Sequence, residues 1–188
     1  QPPGSEGGWD MTLTRTDSKP PTTTTVATDG DGNANFGQLL EQGTYTITET
    51  MQDGWEFLEK SGDCEFTVDY PADSGKEFVC TFTNSKQTAL LRLKKQVEGG
   101  SASPAEWLLS ATADAPFNGK NIVDVPGDND AYTEVYADEL YTLTESEGPA
   151  NYTPGQFWQC VSDDVSDKAL PAVSQDGNQV RLDPGEKV

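Results

Sequence analysis

The sequence repeats itself at a fixed distance of 96 residues, and this duplication constrains the fold more than any other feature. Residues 45–49 (YTITE) return as residues 141–145 (YTLTE). The same offset relates Cys64 to Cys160. One constant offset over such a stretch, with a cysteine included, indicates two copies of one structural unit. Each unit must therefore build its own core from about half of the 188 residues.

Apolar and polar residues alternate along the main segments of both copies. This period of two, rich in β-branched and aromatic residues, is typical of β-strands. Asp-Gly, Asn-Gly and Pro-Gly pairs lie between the segments and predict tight turns. No helical period is sustained, although 104–109 could form a single turn. The pattern predicts an all-β protein of two tandem antiparallel Ig-like β-sandwiches. The alternating segments are 11–15, 44–49, 78–83, 91–97 and 140–145.

Composition shifts along the chain predict where each copy begins and ends. Residues 1–8 are rich in Gly and Pro and indicate a linker. The first sandwich is predicted over 9–85 and the second over 89–188, with a short polar joint between them. The second copy has about 16 additional residues before its YTLTE strand. Because 107–111 alternate, we predict an added strand or a widened loop there.

Charge and residue usage exclude several classes of function. Twelve Lys and Arg against 32 Asp and Glu give a net charge of −20, which disfavours nucleic acid and anionic membrane surfaces as partners. Histidine is absent, so Ser-His-Asp and Cys-His catalysis and His-ligated metals are excluded. No apolar run approaches the roughly 20 residues of a membrane helix. The sequence predicts no enzyme and no cofactor.

Several motifs occur in a fixed order in both copies. The first copy carries TDGDGNANF at 28–36, YTITE at 45–49 and CTFTN at 80–84, and the second carries LKK at 93–95 and YTLTE at 141–145. This order resembles the prealbumin-like, collagen-binding-protein B-type (SpaA-like) domains of bacterial surface adhesins and pilins. The resemblance covers nearly the whole chain. It implies structural or stalk modules of a secreted or cell-surface adhesin or extracellular filament, with neighbouring domains or subunits as partners.

Many domains of this kind carry an autocatalytic lysine–asparagine isopeptide bond, assisted by a buried carboxyl group. In the first copy the resemblance assigns the carboxyl to Glu49 and the asparagine to Asn84. Arg15 is predicted at the lysine position, and a guanidinium stays protonated and cannot attack. We therefore predict no isopeptide there, and either a buried Arg15–Glu49 ion pair or an exposed strand arginine.

In the second copy the resemblance assigns the lysine to Lys95 and the carboxyl to Glu145. Strand alternation predicts that Lys95 points inward and Lys94 outward. The matching asparagine is expected near position 194, beyond Val188, so the site is incomplete in this sequence.

The cysteines indicate the compartment. Cys64 and Cys80 lie 16 residues apart within one copy and are predicted to form a disulfide, which implies an oxidising, extracellular setting. Cys160 is then unpaired. Two interpretations stay open: the last strand of the second sandwich lies outside the sequence, or a neighbouring chain supplies it by donor-strand completion and pairs with Cys160.

Two weaker sequence motifs indicate alternative functions. Asp29, Asp31 and Asn33 resemble the start of a calcium loop, but the glycine and glutamate that such a loop needs later are missing, which favours a hairpin turn and no metal. Exposed aromatic residues could form a sugar platform, whereas core packing is the default role of tryptophan. One alternative function is therefore a carbohydrate- or ligand-binding module whose ligand is a host molecule or a glycan. Another alternative is a filament subunit that assembles by donor-strand completion. The aromatic candidates are Trp55, Trp107, Trp158 and Tyr152.

Overall fold

The computed structural model describes residues 5–37, 40–114, 120–155, 157–161 and 177–188. The chain divides into two compact units, with the boundary between Ser85 and Lys86. Both units are built from β-strands, as the alternation predicted, and a short 3₁₀ turn at Pro104–Glu106 is capped by Ser103. Within the described part of the chain, no helix has the length and apolar character to cross a bilayer.

Among its described residues, the first unit has six strands in two sheets. One antiparallel sheet has the order β2-β1-β3-β5, and a second sheet pairs β4 with β6. The strands are β1 (Asp10–Arg15), β2 (Thr22–Ala27), β3 (Gly43–Glu49), β4 (Trp55–Gly62), β5 (Glu65–Val68) and β6 (Cys80–Lys86).

The described part of the second unit also has six strands. An antiparallel sheet has the order β12-β11-β8-β9, and β7 pairs with β10. On its other side, β7 contacts the last residues of the chain in parallel: the Leu90 N–H donates to the Glu186 carbonyl, and the Val188 N–H donates to the Leu90 carbonyl. The strands are β7 (Thr88–Leu91), β8 (Leu108–Ala113), β9 (Ile122–Pro126), β10 (Thr133–Tyr136), β11 (Leu140–Glu145) and β12 (Gln179–Arg181).

The two units differ greatly in the size of their cores. The second unit buries a cluster of fourteen hydrophobic residues drawn from both sheets. Among the described residues of the first unit, the corresponding cluster contains three fully buried members, Leu13, Tyr45 and Val68, and the side chains around it are only partly buried. Since the burial of apolar surface is the main driving force of folding, the second unit has the larger hydrophobic stabilisation.

Strand register shows which strands of the two units are equivalent. Glu49 on β3 lies opposite Met11 on β1, and Glu145 on β11 lies opposite Leu109 on β8. β1 is therefore the counterpart of β8. The sequence-based alignment of Arg15 with Lys95 was wrong, because Lys95 follows β7, a strand that has no counterpart among the described residues of the first unit. The additional residues of the second copy are this strand and the segment that leads to β8.

Candidate functional site: two equivalent glutamates

The second unit places Lys95 against Glu145. The Lys95 Nζ lies 2.8 Å from one carboxylate oxygen of Glu145 and 3.1 Å from the other. The two side chains are 13% and 23% exposed, and the Trp107 ring lies over the ammonium at 5.1 Å. Close packing beside the lysine requires glycine at 127, where a Cβ would collide with that of Lys95. Lys94 contacts Asp130 at an exposed position instead.

The first unit pairs the equivalent glutamate with an asparagine. Asn84 on β6 donates through Nδ2 to a carboxylate oxygen of Glu49 at 2.8 Å. Asn84 is only 6% exposed, and its Oδ1 is buried without a hydrogen-bond partner. Burial raises the pKa of Glu49, and the Asn84 hydrogen bond partly opposes that shift.

Each of these two sites holds two of the three groups that an isopeptide site needs. The second unit holds a lysine and a carboxylate, and the first holds a carboxylate and a carboxamide. Amide exchange between a lysine and an asparagine needs all three: an amine to attack, a carboxamide to accept, and a carboxyl group to move the proton. Within the described residues, neither unit brings the three together.

Arg15 does not pair with Glu49, contrary to one of the two sequence-based alternatives. Its guanidinium contacts Asp17 at 2.9 Å and Glu41 at 2.5 Å, and the Arg15 contact holds the pKa of Asp17 below its usual range. The cause is the register: Arg15 lies opposite Tyr45, four residues and about 13 Å along β3 from Glu49.

Cys64 and Cys80 form a disulfide with their Cα atoms 4.7 Å apart. Cys64 directly precedes β5, and its carbonyl accepts a hydrogen bond from the Ile47 N–H on β3, whereas Cys80 begins β6. The bond therefore connects the two sheets of the first unit. Cys160 is a free, half-buried thiol, and burial raises its pKa.

Comparison with known proteins agrees with this architecture. Residues 7–86 match the family model of the SpaA prealbumin-like fold domain, and residues 86–181 match that of a second SpaA-type prealbumin-like fold domain. The chain is a tandem pair of SpaA-type domains. Over 175 residues, 90% of the chain, it is 29% identical to Colossin-A of Dictyostelium discoideum, and it spans about 1% of that protein's length. No solved structure gave a significant match.

The loop at 29–33 in the first SpaA domain is a turn that uses its own carboxylate. The Asp29 side chain accepts the backbone N–H groups of Asp31 and Asn33 at 3.0 and 2.9 Å, which lowers the pKa of Asp29. A carboxylate engaged in this way stabilises the turn. The expected hairpin is wrong, because the turn lies between β2 and β3, which are separated by β1 in the sheet. Across the ranges that the structure describes, no group of three or more His, Cys, Asp or Glu side chains could hold a metal ion.

The tryptophans pack inside the SpaA domains. Trp55 is buried and contacts Trp9 edge-on at 5.2 Å, and Trp107 is buried against Tyr152 at 5.4 Å. Trp158 packs against the core of the second domain. The sugar platform considered from the sequence is therefore wrong for Trp55 and Trp107, because neither indole presents an open face to solvent.

Sequence analysis missed a buried ion pair of the second SpaA domain. Lys86 Nζ contacts a Glu139 carboxylate oxygen at 2.8 Å, with side chains 3% and 15% exposed. Lys86 was assigned to the polar joint. Alternation was the available signal, because residue 86 shares a face of β6 with Asn84, which is also buried.

The raised pKa of Glu49 predicts a pH-dependent stability of the first SpaA domain. The folded state binds this proton more tightly than the unfolded chain, so the free energy of unfolding falls as pH rises from the ordinary glutamate pKa through the raised one. Glu49→Gln keeps an acceptor for Asn84 and removes this decrease. We expect the variant to gain stability relative to wild type across that window, measured by denaturant unfolding between about pH 4 and 8.

The matched control is Glu56→Gln, at an exposed position of β4. This variant keeps the Glu49–Asn84 pair, so the decrease in stability that Glu49 causes should remain. Parallel pH profiles for Glu49→Gln and wild type would contradict the assignment of the raised pKa to Glu49.

Proposed function

We propose that this chain is a structural repeat of a secreted or cell-surface protein, an adhesin stalk or an extracellular filament, and not an enzyme. SpaA-type domains are structural folds that occur in cell-surface proteins. The observation that carries the proposal is the disulfide between Cys64 and Cys80. It joins the two sheets of the first domain covalently and keeps the 16-residue loop between the cysteines closed when tension unfolds the rest of the domain. A disulfide also fits an oxidising extracellular compartment.

Tandem duplication supports the same proposal. Two domains of one family follow each other with a single residue, Gln87, between β6 and β7. Each domain contains its own strands and core. The partners of such a repeat are neighbouring domains or subunits of the same surface protein. Trp55 and Trp107, which were considered for a glycan ligand, are buried, so the proposal contains no sugar site at either residue.

Single-molecule stretching of the 188-residue chain between two handles tests this proposal. We expect a separate unfolding event for each domain at a measurable force. In non-reducing buffer the disulfide keeps the 16-residue loop closed, and reduction should lengthen the extension released by the first domain by roughly 50 Å. The increment of the second domain should stay the same.

Two cysteine variants serve as matched controls. Cys80→Ser should release the longer extension without reductant, and Cys160→Ser should behave as wild type because Cys160 is free. Unfolding of both domains at forces too small to detect, with the disulfide intact, would contradict a role in bearing tension.

We further propose that Lys95 and Glu145 belong to a covalent cross-link that a carboxamide outside the described residues completes. The bond would form between Lys95 Nζ and the carboxamide carbon, while the carboxamide C–N bond breaks and ammonia leaves. The natural protein would then weigh one ammonia less than its sequence. Lys95→Arg should restore the full mass, and an unreduced mass in the natural protein would contradict the cross-link.

A further inference from the structure

One asparagine of the second domain lies in a modification motif that the structural role does not explain. The chain contains eight asparagines, and Asn151 is the one that has Ser or Thr two positions later, with Tyr152 between it and Thr153. Asn-x-Ser/Thr, where x is any residue except proline, is the acceptor motif for N-linked glycans in secreted proteins. Because so short a motif also occurs by chance, the structure around it decides whether a glycan fits.

Asn151 lies in a turn on the surface of the second domain, after the end of β11. The Tyr152 N–H donates to the Pro149 carbonyl at 3.3 Å and closes the turn. Asn151 has a φ of 74°, in the left-handed region that asparagine adopts more readily than most residues. Asn151 and Thr153 are both exposed, whereas Tyr152 between them is half-buried. The acceptor amide therefore has the room in solvent that a bulky glycan requires.

Tyr152 fixes the middle of the motif to the domain. Its ring contacts the buried Trp107 edge-on at 5.4 Å. Its hydroxyl accepts a hydrogen bond from the Ala102 N–H at 3.0 Å and donates to the Gly99 carbonyl at 3.4 Å. Gly100 leaves space for this contact, because a Cβ there would overlap the Tyr152 hydroxyl. The middle residue is thus held against the domain, and the residues on either side of it stay in solvent.

The first domain shows that the shared fold does not require this asparagine. The offset of 96 residues that relates Cys64 to Cys160 also aligns Asn151 with Trp55. Trp55 is buried inside the first domain, whereas Asn151 is exposed on the second. A buried tryptophan and an exposed asparagine at aligned positions have different roles. The exposed Asn-Tyr-Thr motif is therefore a feature of the second domain alone and does not follow from the common core.

We propose that Asn151 is the acceptor of an N-linked glycan, and that the donor is an oligosaccharide carried on a polyprenyl diphosphate. A bond forms between Asn151 Nδ2 and the anomeric carbon of the first sugar. The bond from that carbon to the diphosphate oxygen breaks, the amide gives up one proton, and the polyprenyl diphosphate leaves. This inference rests on the proposed function, because the chain must pass through the secretory route on which the Cys64–Cys80 disulfide also forms.

Peptide mass spectrometry of the protein secreted by its natural source tests the acceptor directly. We expect the peptide that contains Asn151 to carry a sugar adduct, and fragmentation should place the adduct on that residue. A peptide:N-glycosidase should remove the sugar and convert Asn151 to aspartate. In water labelled with heavy oxygen, the new carboxyl group should carry the label. The loss of ammonia expected at Lys95 is then measured on the protein from which the glycan has been removed.

Variants secreted by the same cells separate the motif from its surroundings. Asn151→Gln and Thr153→Ala should each abolish the adduct, whereas Thr153→Ser keeps the hydroxyl group and should keep the adduct. Asn178→Gln is the matched control, because Asn178 is also exposed on the second domain but has valine two positions later, and it should leave the adduct unchanged. All of these positions are exposed, so we expect each variant to fold and to be secreted.

Two results would overturn the inference. One is an unmodified Asn151 in secreted protein whose Cys64–Cys80 disulfide is intact, a result that leaves the structural role standing. The other is an adduct that persists in Asn151→Gln, because the sugar would then be attached elsewhere. Reduced cysteines in protein from the natural source would instead contradict the extracellular setting of the proposed function. The failure of the glycan acceptor and the failure of the proposed function are therefore distinguishable.

Discussion

Leu109→Ala is expected to lower the free energy of unfolding of the second domain by about 3 to 5 kcal/mol. Leu109 is completely buried on β8, within the cluster of fourteen core residues. Truncation removes the branched end of the side chain from that core and leaves a cavity, and both losses destabilise the folded state. Denaturant unfolding followed by hydrogen exchange and mass spectrometry resolves the two domains and measures the change in each.

Met11→Ala is the matched control, because register places Met11 on β1 where β8 has Leu109. Met11 is only half-buried, so we expect a loss of about 1 kcal/mol in the first domain and none in the second. Equal losses from the two substitutions would contradict the difference between the two cores.

Lys86→Met is expected to destabilise the second domain by about 3 kcal/mol. The substitution removes the partner of Glu139 and leaves a carboxylate that is only 15% exposed without its cation. An unpaired charge at such a position is costly, because the protein interior solvates it poorly. The free energy of unfolding at pH 7, measured by the same domain-resolved method, checks the value.

Two further variants separate loss of the ion pair from loss of the lysine side chain. Lys60→Met breaks an exposed pair with Glu65 and should cost no more than about 0.5 kcal/mol. The double variant Lys86→Met with Glu139→Leu removes both charges and should recover most of the lost stability. A double variant as unstable as Lys86→Met alone would show that packing of the lysine stem, and not the charge, is what the single variant loses.

Several features of this protein were predictable from local patterns. Period-two alternation predicts strands because successive side chains on a strand point to opposite faces. The equivalence of Glu49 and Glu145 followed from the constant offset, and both occupy the same register position at the end of their strands. The SpaA-like resemblance is confirmed by family matches over both halves.

The pairing of strands was not predictable in the same way. Alternation is identical for every strand, so it cannot show whether Leu13 corresponds to Leu93 or to Ala111. Hydrogen-bond register with β3 and β11 decides for Ala111. Arg15 consequently lies far from Glu49 and pairs with Asp17 and Glu41.

The sequence by itself determined the duplication, the β class and the spacing of the two cysteines that join in a disulfide, because each depends on residues close in the chain or on a constant offset. Only the tertiary structure decided that Arg15 lies opposite Tyr45 and pairs with Asp17 and Glu41 instead of with Glu49. It also showed that β7 has no counterpart among the described strands of the first domain. These depend on contacts between strands distant in sequence, and such contacts leave no periodic signal in the residues that make them.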